Sequence, residues 1–417
     1  VTRRATLLLV LAVTVACNRA PLPAPAQPAP QKTTTFEDDG FTNAVMPPIV
    51  DIDGDNLLNL AYGAAVVSRT GELNLDTSAA NAIDGMSFSV WTSPPGGPSQ
   101  TLTFALGAPS RVEQLGISAP IKEQVPEKVR FSASSDGRTW REITTMEIKA
   151  KGTTINEVKP FEARYLRIDT LDPKKYYTTI TSVHALGREV RAPERMSFDG
   201  CWTLNSEHAM LRQEGARITG VIGDASAPTY VDGGVEGRVA RLMWIRGPMW
   251  GYVALTLTPD ARQISGNAFH EEPMIGWIGR AWLGGRCDET ARNPSPLKPA
   301  DYLRRTKHWT MSGMIFDAEE RLVEEPSRGT LDDAAALLNA TPAQRFRIVA
   351  QEHRQNDPKE NLRRSKARID AVRAALQSRG VDVSRIEFVA QGSERKDVEV
   401  PSAIQRMLWS RMDLEQR

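Results

Sequence analysis

A chain of 417 residues with 52 basic and 51 acidic side chains has room for two to four domains. Its net charge of +1 removes the electrostatic case for nucleic acid or an anionic bilayer as the main partner. Apolar residues at 41% and charged residues at 25% are an ordinary globular balance, so each domain can bury a core. The local basic run at Arg363, Arg364, Lys366, Arg368 and Arg373 reads as one solvated helix face.

At the start of the chain, Arg3 and Arg4 precede an apolar run from Leu7 to Val15. That run is too short to cross a bilayer and has the layout of an export signal. Thr14-Val15-Ala16-Cys17 resembles a lipobox, with Thr14 where Leu is usual. The resemblance implies that residues 1–17 are a signal peptide and that Cys17 carries a lipid anchor; a plain secreted protein is the alternative. Asn18 after the cysteine implies, by the same resemblance, the outer membrane. Residues 18–47 include PLPAPAQPAP, whose prolines forbid helix and make a semi-rigid spacer. With Cys17 used in this way, Cys201 and Cys287 remain as a pair in a compartment that permits a disulfide; two unpaired buried thiols are the alternative.

Residues 48–190 read as all-β. TLTFALG, VEQLGISA, KVRFSASSDG and RYLRIDTL alternate apolar and polar residues and end on turn residues, which places Val129, Phe131 and Ala133 on one face. Two such sheets bury their inner faces as a sandwich. The order of NLAYGAAVVS, ANAIDGMSFSVWTS, VPEKVRFSASSDGRTWREI and FEARYLRIDTL resembles a discoidin-type (coagulation factor C-type) jelly roll, a fold shared by carbohydrate-binding modules. Its most specific part is Ser134, Asp136, Gly137 and Trp140; Ala82 to Gly85 with Trp91 beyond is the second marker. The resemblance implies ligand loops at one end: Ser68 to Thr77, Ile121 to Gln124, and Asp172 to Tyr177. There Tyr176 and Tyr177 either stack on a sugar face or pack on the sheet, while Arg69 and Glu123 are candidates to bond hydroxyls. Trp91 and Trp140 read as core or loop-anchoring residues. Asp84 sits where many relatives hold a structural calcium, an ion that needs six to eight oxygens. Upstream, DIDGDN (51–56) lacks the spacing of an EF-hand and reads as a polar turn.

Residues 196–288 are also β. GCWTLN, ARITGVIG, VEGRVARLMWI, GYVALTLTPDARQISGNAF and GWIGRAWLGG follow at short intervals separated by glycines, the pattern of a hairpin meander. The rhythm resembles small bacterial meander barrels with a lipocalin-like strand layout. Most of Trp202, Trp244, Trp250, Trp277 and Trp282 are expected in the barrel core, and a Cys201–Cys287 bridge would tie the first strand to the last.

Residues 300–417 mix helix and strand. TMSGMIFD reads as a strand, Thr330 with Asp333 as a helix start, and RFRIVAQ as the next strand. Asn361 to Arg379 reads as the long helix, with Leu362, Ile369, Val372 and Leu376 as its buried stripe; RIEFVAQG and MLWSRMDLE close the order β-α-β-α-β-β. This order resembles an OmpA-like C-terminal domain, which binds peptidoglycan: Phe316-Asp317 matches its first strand, Asn361, Ser365, Arg368 and Val372 its long helix, and Arg411 its closing motif. The family holds diaminopimelate with an Asp for the ammonium and an Arg for the carboxylate. Arg368 is in place, but the Asp position reads His353, and the closing Asn and first Arg read Trp409 and Ser410. Glu352 supplies a carboxylate if the loop shifts by one residue. A degenerate domain kept for structure or protein contact is the alternative.

The expectation is therefore multidomain: a jelly-roll sandwich, a small meander barrel and a βαβαββ OmpA-like sandwich, each with its own core. The first domain binds a glycan or other surface ligand, the last docks on peptidoglycan, and a lipid anchor holds the chain in the envelope. No Gly-x-Ser-x-Gly elbow, phosphate loop or His-Glu-x-x-His is present, which argues against an enzyme.

Overall fold

Two long bent strands organise the first domain. The computed structural model describes residues 56–86, 89–96, 99–119, 122–149, 152–172, 176–192, 195–272, 276–287, 295–352, 357–393 and 410–417. The strands are β1 (Ala65–Arg69), β2 (Trp91–Thr92), β3 (Thr101–Ala119), β4 (Lys128–Ser134), β5 (Arg141–Glu147), β6 (Gly152–Thr170), β7 (Thr179–Ile180) and β8 (Ser182–Glu189). β3 pairs antiparallel with β6, with irregularities between Ala105 and Ser110 and between Val112 and Gln114. Such breaks bend a strand, so one half of β3 carries β1 and the other carries β8. The sheet order is β1-β3-β6-β4-β5, and β2 pairs with β7 beside it. Val129 and Phe131 are fully buried and Ala133 nearly so, as their alternation requires. The turn after β4 is held by Ser134 Oγ, which accepts from the Gly137 amide at 2.9 Å, and by Asp136 Oδ1, which accepts from the Arg138 and Thr139 amides at 2.8 Å. Those two amides hold the Asp136 carboxyl well below the usual range. Gly137 adopts φ +73°, which a β-carbon would disfavour.

The second domain is a closed barrel of β9 (Gly200–Leu204), β10 (Glu207–Glu214), β11 (Arg217–Ile222), β12 (Thr229–Glu236), β13 (Val239–Arg246), β14 (Met249–Leu257), β15 (Gln263–Glu272) and β16 (Gly276–Arg286). Each strand pairs with the next, and β9 pairs with both β10 and β16. Trp202, Leu211, Ile218, Val231, Leu242 and Leu255 fill the interior. The Cys201–Cys287 disulfide is present, joining first strand to last with a Cα–Cα distance of 5.3 Å. Of the tryptophans, Trp202 and Trp244 belong to the interior and Trp282 packs partly against it. Trp250 departs from the expectation by facing outward and stacking on His308 at 5.5 Å. The Trp277 side chain lies outside the described residues.

The third domain comprises α1 (Pro299–Thr306), β17 (His308–Thr310), α2 (Glu324–Ala340), β18 (Phe346–Gln351), α3 (Pro358–Ser378), β19 (Ile386–Gly392) and β20 (Arg411–Gln416). Its sheet order is β17-β20-β18-β19, with β18 and β19 parallel. Several local expectations change. The segment TMSGMIFD is mostly loop: only Thr310 belongs to β17, and Phe316 returns as a single bridge to Leu322. α2 starts at Glu324 rather than Thr330, because Pro326 falls in the first turn, where no intrahelical donor is required. Thr330 instead donates its hydroxyl to the Ser312 carbonyl. Leu362 is 37% exposed; the buried face of α3 is Asn361, Ser365, Arg368, Ile369, Val372 and Leu376, polar in its first half.

The three domains do not keep separate cores. Met243, Ile245, Tyr252 and Phe269, on the outside of the barrel, join one apolar cluster with Phe104 of the first domain and Trp309 of the third. The run LMWI in β13 is buried on both faces of its strand, which is why it does not alternate. Polar bonds lock both seams. Arg238 donates to the carbonyls of Leu106 at 2.7 Å and Gly107 at 3.0 Å, and Ser265 Oγ accepts from the Val66 amide of β1 at 3.0 Å. On the other side, Arg217 bridges Asp232 (3.0 Å) and Asp333 (2.5 Å), and Trp309 Nε1 donates to Asp232 at 3.1 Å.

Candidate ligand sites

Three short loop segments meet at one end of the first domain, joined by backbone bonds through β2 and β7. Trp91 is fully buried and its Nε1 donates to the Gly71 carbonyl at 3.2 Å, anchoring the 70–74 loop as expected. Leu73 donates its amide to the Thr92 carbonyl at 2.9 Å, Ser93 to Thr178 at 2.8 Å, and Gly96 to Tyr176 at 2.9 Å. Thr179 Oγ1 donates to Gln124 Oε1 at 2.5 Å, adding the 122–124 segment. The structure thus brings the loops that carry Arg69, Glu123, Tyr176 and Tyr177 into one surface. Tyr176 is 66% exposed and Tyr177 half-buried, so the two adjacent rings split between surface and sheet. Glu123 is exposed. Arg69 is engaged with Glu72 at 2.7 Å, whose other donors are Ser78 Oγ at 3.0 Å and the Ala79 amide at 3.2 Å. Trp140 is half-buried beneath the Arg167 guanidinium, 4.7 Å from the ring centre.

Asp84 is 1% exposed and meets donors: the Met86 amide at 2.9 Å, the Ser89 hydroxyl at 2.7 Å and Asn267 Nδ2 of the barrel at 2.6 Å. These bonds give it a seam role that the sequence did not reveal. A calcium ion there would need acceptor oxygens where an amide and an amino group now point. Residues 51–55 of DIDGDN lie outside the described residues. Asn56 is buried and clips the domain's start to β8, donating to Val183 O at 3.1 Å and accepting from the Ala185 amide at 3.0 Å. Cys17 also lies outside the described residues. Among the described residues, the grouping with metal-ligand potential is Cys201, His208 and Cys287, whose two sulfurs are consumed by the disulfide.

The third domain builds its pocket at the N-terminal half of α3. Asp357 caps this helix, accepting from the Lys359 amide at 2.9 Å, and Pro358 sits at its first position. That register turns Asn361, Ser365 and Arg368 inward, all at most 7% exposed. Ser365 Oγ accepts from the Gly392 amide at 3.0 Å, and Glu352 donates its amide to Gly392 O at 2.9 Å. These bonds, just past an irregularity in the β18–β19 pairing between Ala350 and Gln351, seat Glu352 against the helix. Its carboxylate, fully buried, pairs with Arg368 Nη1 at 2.7 Å and accepts from Ser410 Oγ at 2.6 Å. His353 and Trp409 lie outside the described residues. The other edge of Arg368 is taken by Glu320, a residue the sequence analysis did not single out. Glu320 is 2% exposed and also faces Arg364 Nη2 at 2.8 Å. The pocket therefore holds acidic groups, but they bond its own arginines. Arg364 and Arg368 are correspondingly not on a solvated face, a correction to the reading of that basic run. Arg411 borders the same cavity as Arg368 from the seam side: it pairs with Asp413 at 2.8 Å and lies 4.7 Å from the centre of the Tyr252 ring of the barrel.

Residues 65–184 match the model of the F5/8 type C domain, and residues 315–406 match that of the OmpA family. The chain joins a discoidin-type domain to an OmpA-type domain. The peptidoglycan-associated lipoprotein of Haemophilus influenzae is 35% identical over 68 residues, 16% of this chain and 44% of that protein. The chain thus spans less than half the length of that curated relative. Among solved structures, a CBM32 module (CpGH89CBM32-5) of Clostridium perfringens in complex with GalNAc-beta-1,3-galactose covers 31% of this chain and 99% of its own, at 16% identity and TM-score 0.28. Chitosan-binding module 1 from a chitosanase/glucanase of Paenibacillus sp. IK-5 covers 31% and 98%, at 19% identity and TM-score 0.28.

Proposed function

We propose that this chain is a non-catalytic binding protein of the bacterial cell envelope: its discoidin-type domain takes a glycan at the loop end, and its OmpA-type domain sits beside peptidoglycan. A lipid on Cys17 and an outer-membrane position complete this reading; the lipobox resemblance of Thr14 to Cys17 supports the first and Asn18 the second. The observation that carries the glycan part is Tyr176, a ring 66% exposed on loops fixed by backbone bonds. An exposed aromatic ring on a preorganised loop suits a sugar, whose ring face is apolar. The two matched domain types are binding modules.

A glycan array with the full chain is the test. Binding that drops at least tenfold in Tyr176→Ala supports the reading; an array without hits, or hits unaffected by Tyr176→Ala and Glu123→Ala, sinks it. In this state of the third domain, Arg368 is engaged by both Glu320 and Glu352.

A further inference from the structure

We infer that Glu320 is a built-in stand-in for a ligand carboxylate, a latch that keeps the Arg368 pocket closed in this state of the molecule. The inference rests on the reading of the OmpA-type domain as wall-facing and adds a control to it. A guanidinium recognises a carboxylate through the edge that its Nε and neighbouring amino nitrogen present. Arg368 offers Nε to Glu320, while Nη1 serves Glu352. A ligand carboxylate must displace one of the two. Glu352 is built in more deeply: its backbone N–H donates to the Gly392 carbonyl, and its carboxylate accepts from the Ser410 hydroxyl. Glu320 is the replaceable one.

The segment that carries Glu320 is a small turn made to present it. Asp317 accepts from the amides of Glu319 at 3.0 Å and Arg321 at 2.8 Å, and the Asp317 amide donates back to Arg321 O at 2.9 Å. Phe316 and Leu322 bridge below it. Glu319 and Arg321 are exposed at the tip, yet Glu320 between them is buried. Its backbone is left-handed, φ +63°, a region that side-chain-bearing residues other than Asn and Asp seldom enter. Strain of this kind persists where the surroundings over-determine it, and it concentrates at ligand clamps and switches. Swinging the tip out relieves the backbone strain but leaves both Arg364 and Arg368 without the Glu320 carboxylate, a charge deficit that an incoming ligand carboxylate would fill. Arg368 also borders a cavity of about 680 Å³ that lies between the barrel and the third domain, with Met243, Met311, Met314, Phe316 and Met412 among its walls. Once released, the guanidinium has space beside it for the body of a carboxylate-bearing peptide.

The test uses the full chain and two probes, purified sacculi and a soluble stem peptide ending in diaminopimelate. Glu320→Ala is expected to raise affinity for both at least tenfold over the parent, and Glu320→Gln less. The gain must vanish in Glu320→Ala/Arg368→Ala, and thermal unfolding confirms that each variant is folded. If the parent and Glu320→Ala bind equally well, the latch is wrong and the wall reading stands. If folded Glu320→Ala and Glu320→Gln bind neither probe, the latch is overturned, and wall contact through this pocket fails with it.

Discussion

Replacing Arg238 probes whether the seams make one cooperative molecule. Arg238 follows Gly237 in the turn between β12 and β13, is 1% exposed, and donates to the carbonyls of Leu106, Gly107 and Leu257. The backbone comes this close because position 107 is glycine: a β-carbon there would sit 1.9 Å from the Tyr62 carbonyl oxygen. In Arg238→Ala three buried carbonyls lose a charged donor. Bonds to charged groups contribute about 1.5–3 kcal/mol each, and part of that is offset by no longer burying the guanidinium, so a net loss of about 3 kcal/mol is reasonable. Unfolding entropy is about 2.1 cal/mol/K per residue, or roughly 0.75 kcal/mol/K for residues 56–417 unfolding together; the expected fall in Tm is about 4 °C. If the first domain melted alone, its smaller entropy would turn the same loss into a fall of about 10 °C in a separate transition. Scanning calorimetry of the parent, Arg238→Ala and Arg238→Met distinguishes these outcomes; Met keeps the bulk and lacks the bonds. A parent with two transitions, both unmoved by either substitution, would refute the argument that the seam couples the domains.

Two other predictions concern buried charge. His184 is 4% exposed, with Nε2 2.7 Å from Ser118 Oγ, and burial lowers its pKa from 6.5 to about 4. The unfolded chain takes the proton near pH 6.5 and the folded one only near pH 4, so stability falls as pH drops through that window and levels off below it. The loss is about 3 kcal/mol in denaturant titrations, and His184→Gln should remove most of that slope. At the other seam, burial pushes the Asp232 carboxyl up despite Arg217 beside it. Asp232→Ala leaves Arg217 and the Trp309 indole short of an acceptor and is expected to lose about 3–4 kcal/mol in urea unfolding followed by tryptophan emission; an unchanged midpoint would show that Asp333 alone satisfies Arg217.

Local chemistry made much of the fold legible, and long-range pairing hid the rest. The Ser134–Trp140 turn and the alternation through Val129, Phe131 and Ala133 announce the jelly roll because each depends on residues a few positions apart. The Cys201–Cys287 bridge was reachable by counting. Helix α1 is not among the expected elements, although Pro299 at its start and the inward pair Tyr302 and Leu303 carry a helical signal. Leu362 was misjudged because the buried face of α3 begins with polar residues that serve a pocket, and an apolar stripe cannot reveal those. Arg368 could be found by motif, but Glu320 lies 48 positions away in a turn without periodicity. The seam contacts were invisible for the same reason: Arg238 reaches Leu106 across 132 positions and Asn267 reaches Asp84 across 183.

The interlocked barrel changes what the proposed pairing of two ligand sites on this chain would mean. A flexible tether lets one site search for its target after the other has engaged, over a range set by the tether. Here residues on either side of the barrel are wedged against it, so the Tyr176 surface and the Arg368 pocket point in directions decided at folding. Under the proposed function, such a molecule would gauge a distance, since only a surface offering both chemistries at matching spacing and angle could engage the two ends at once.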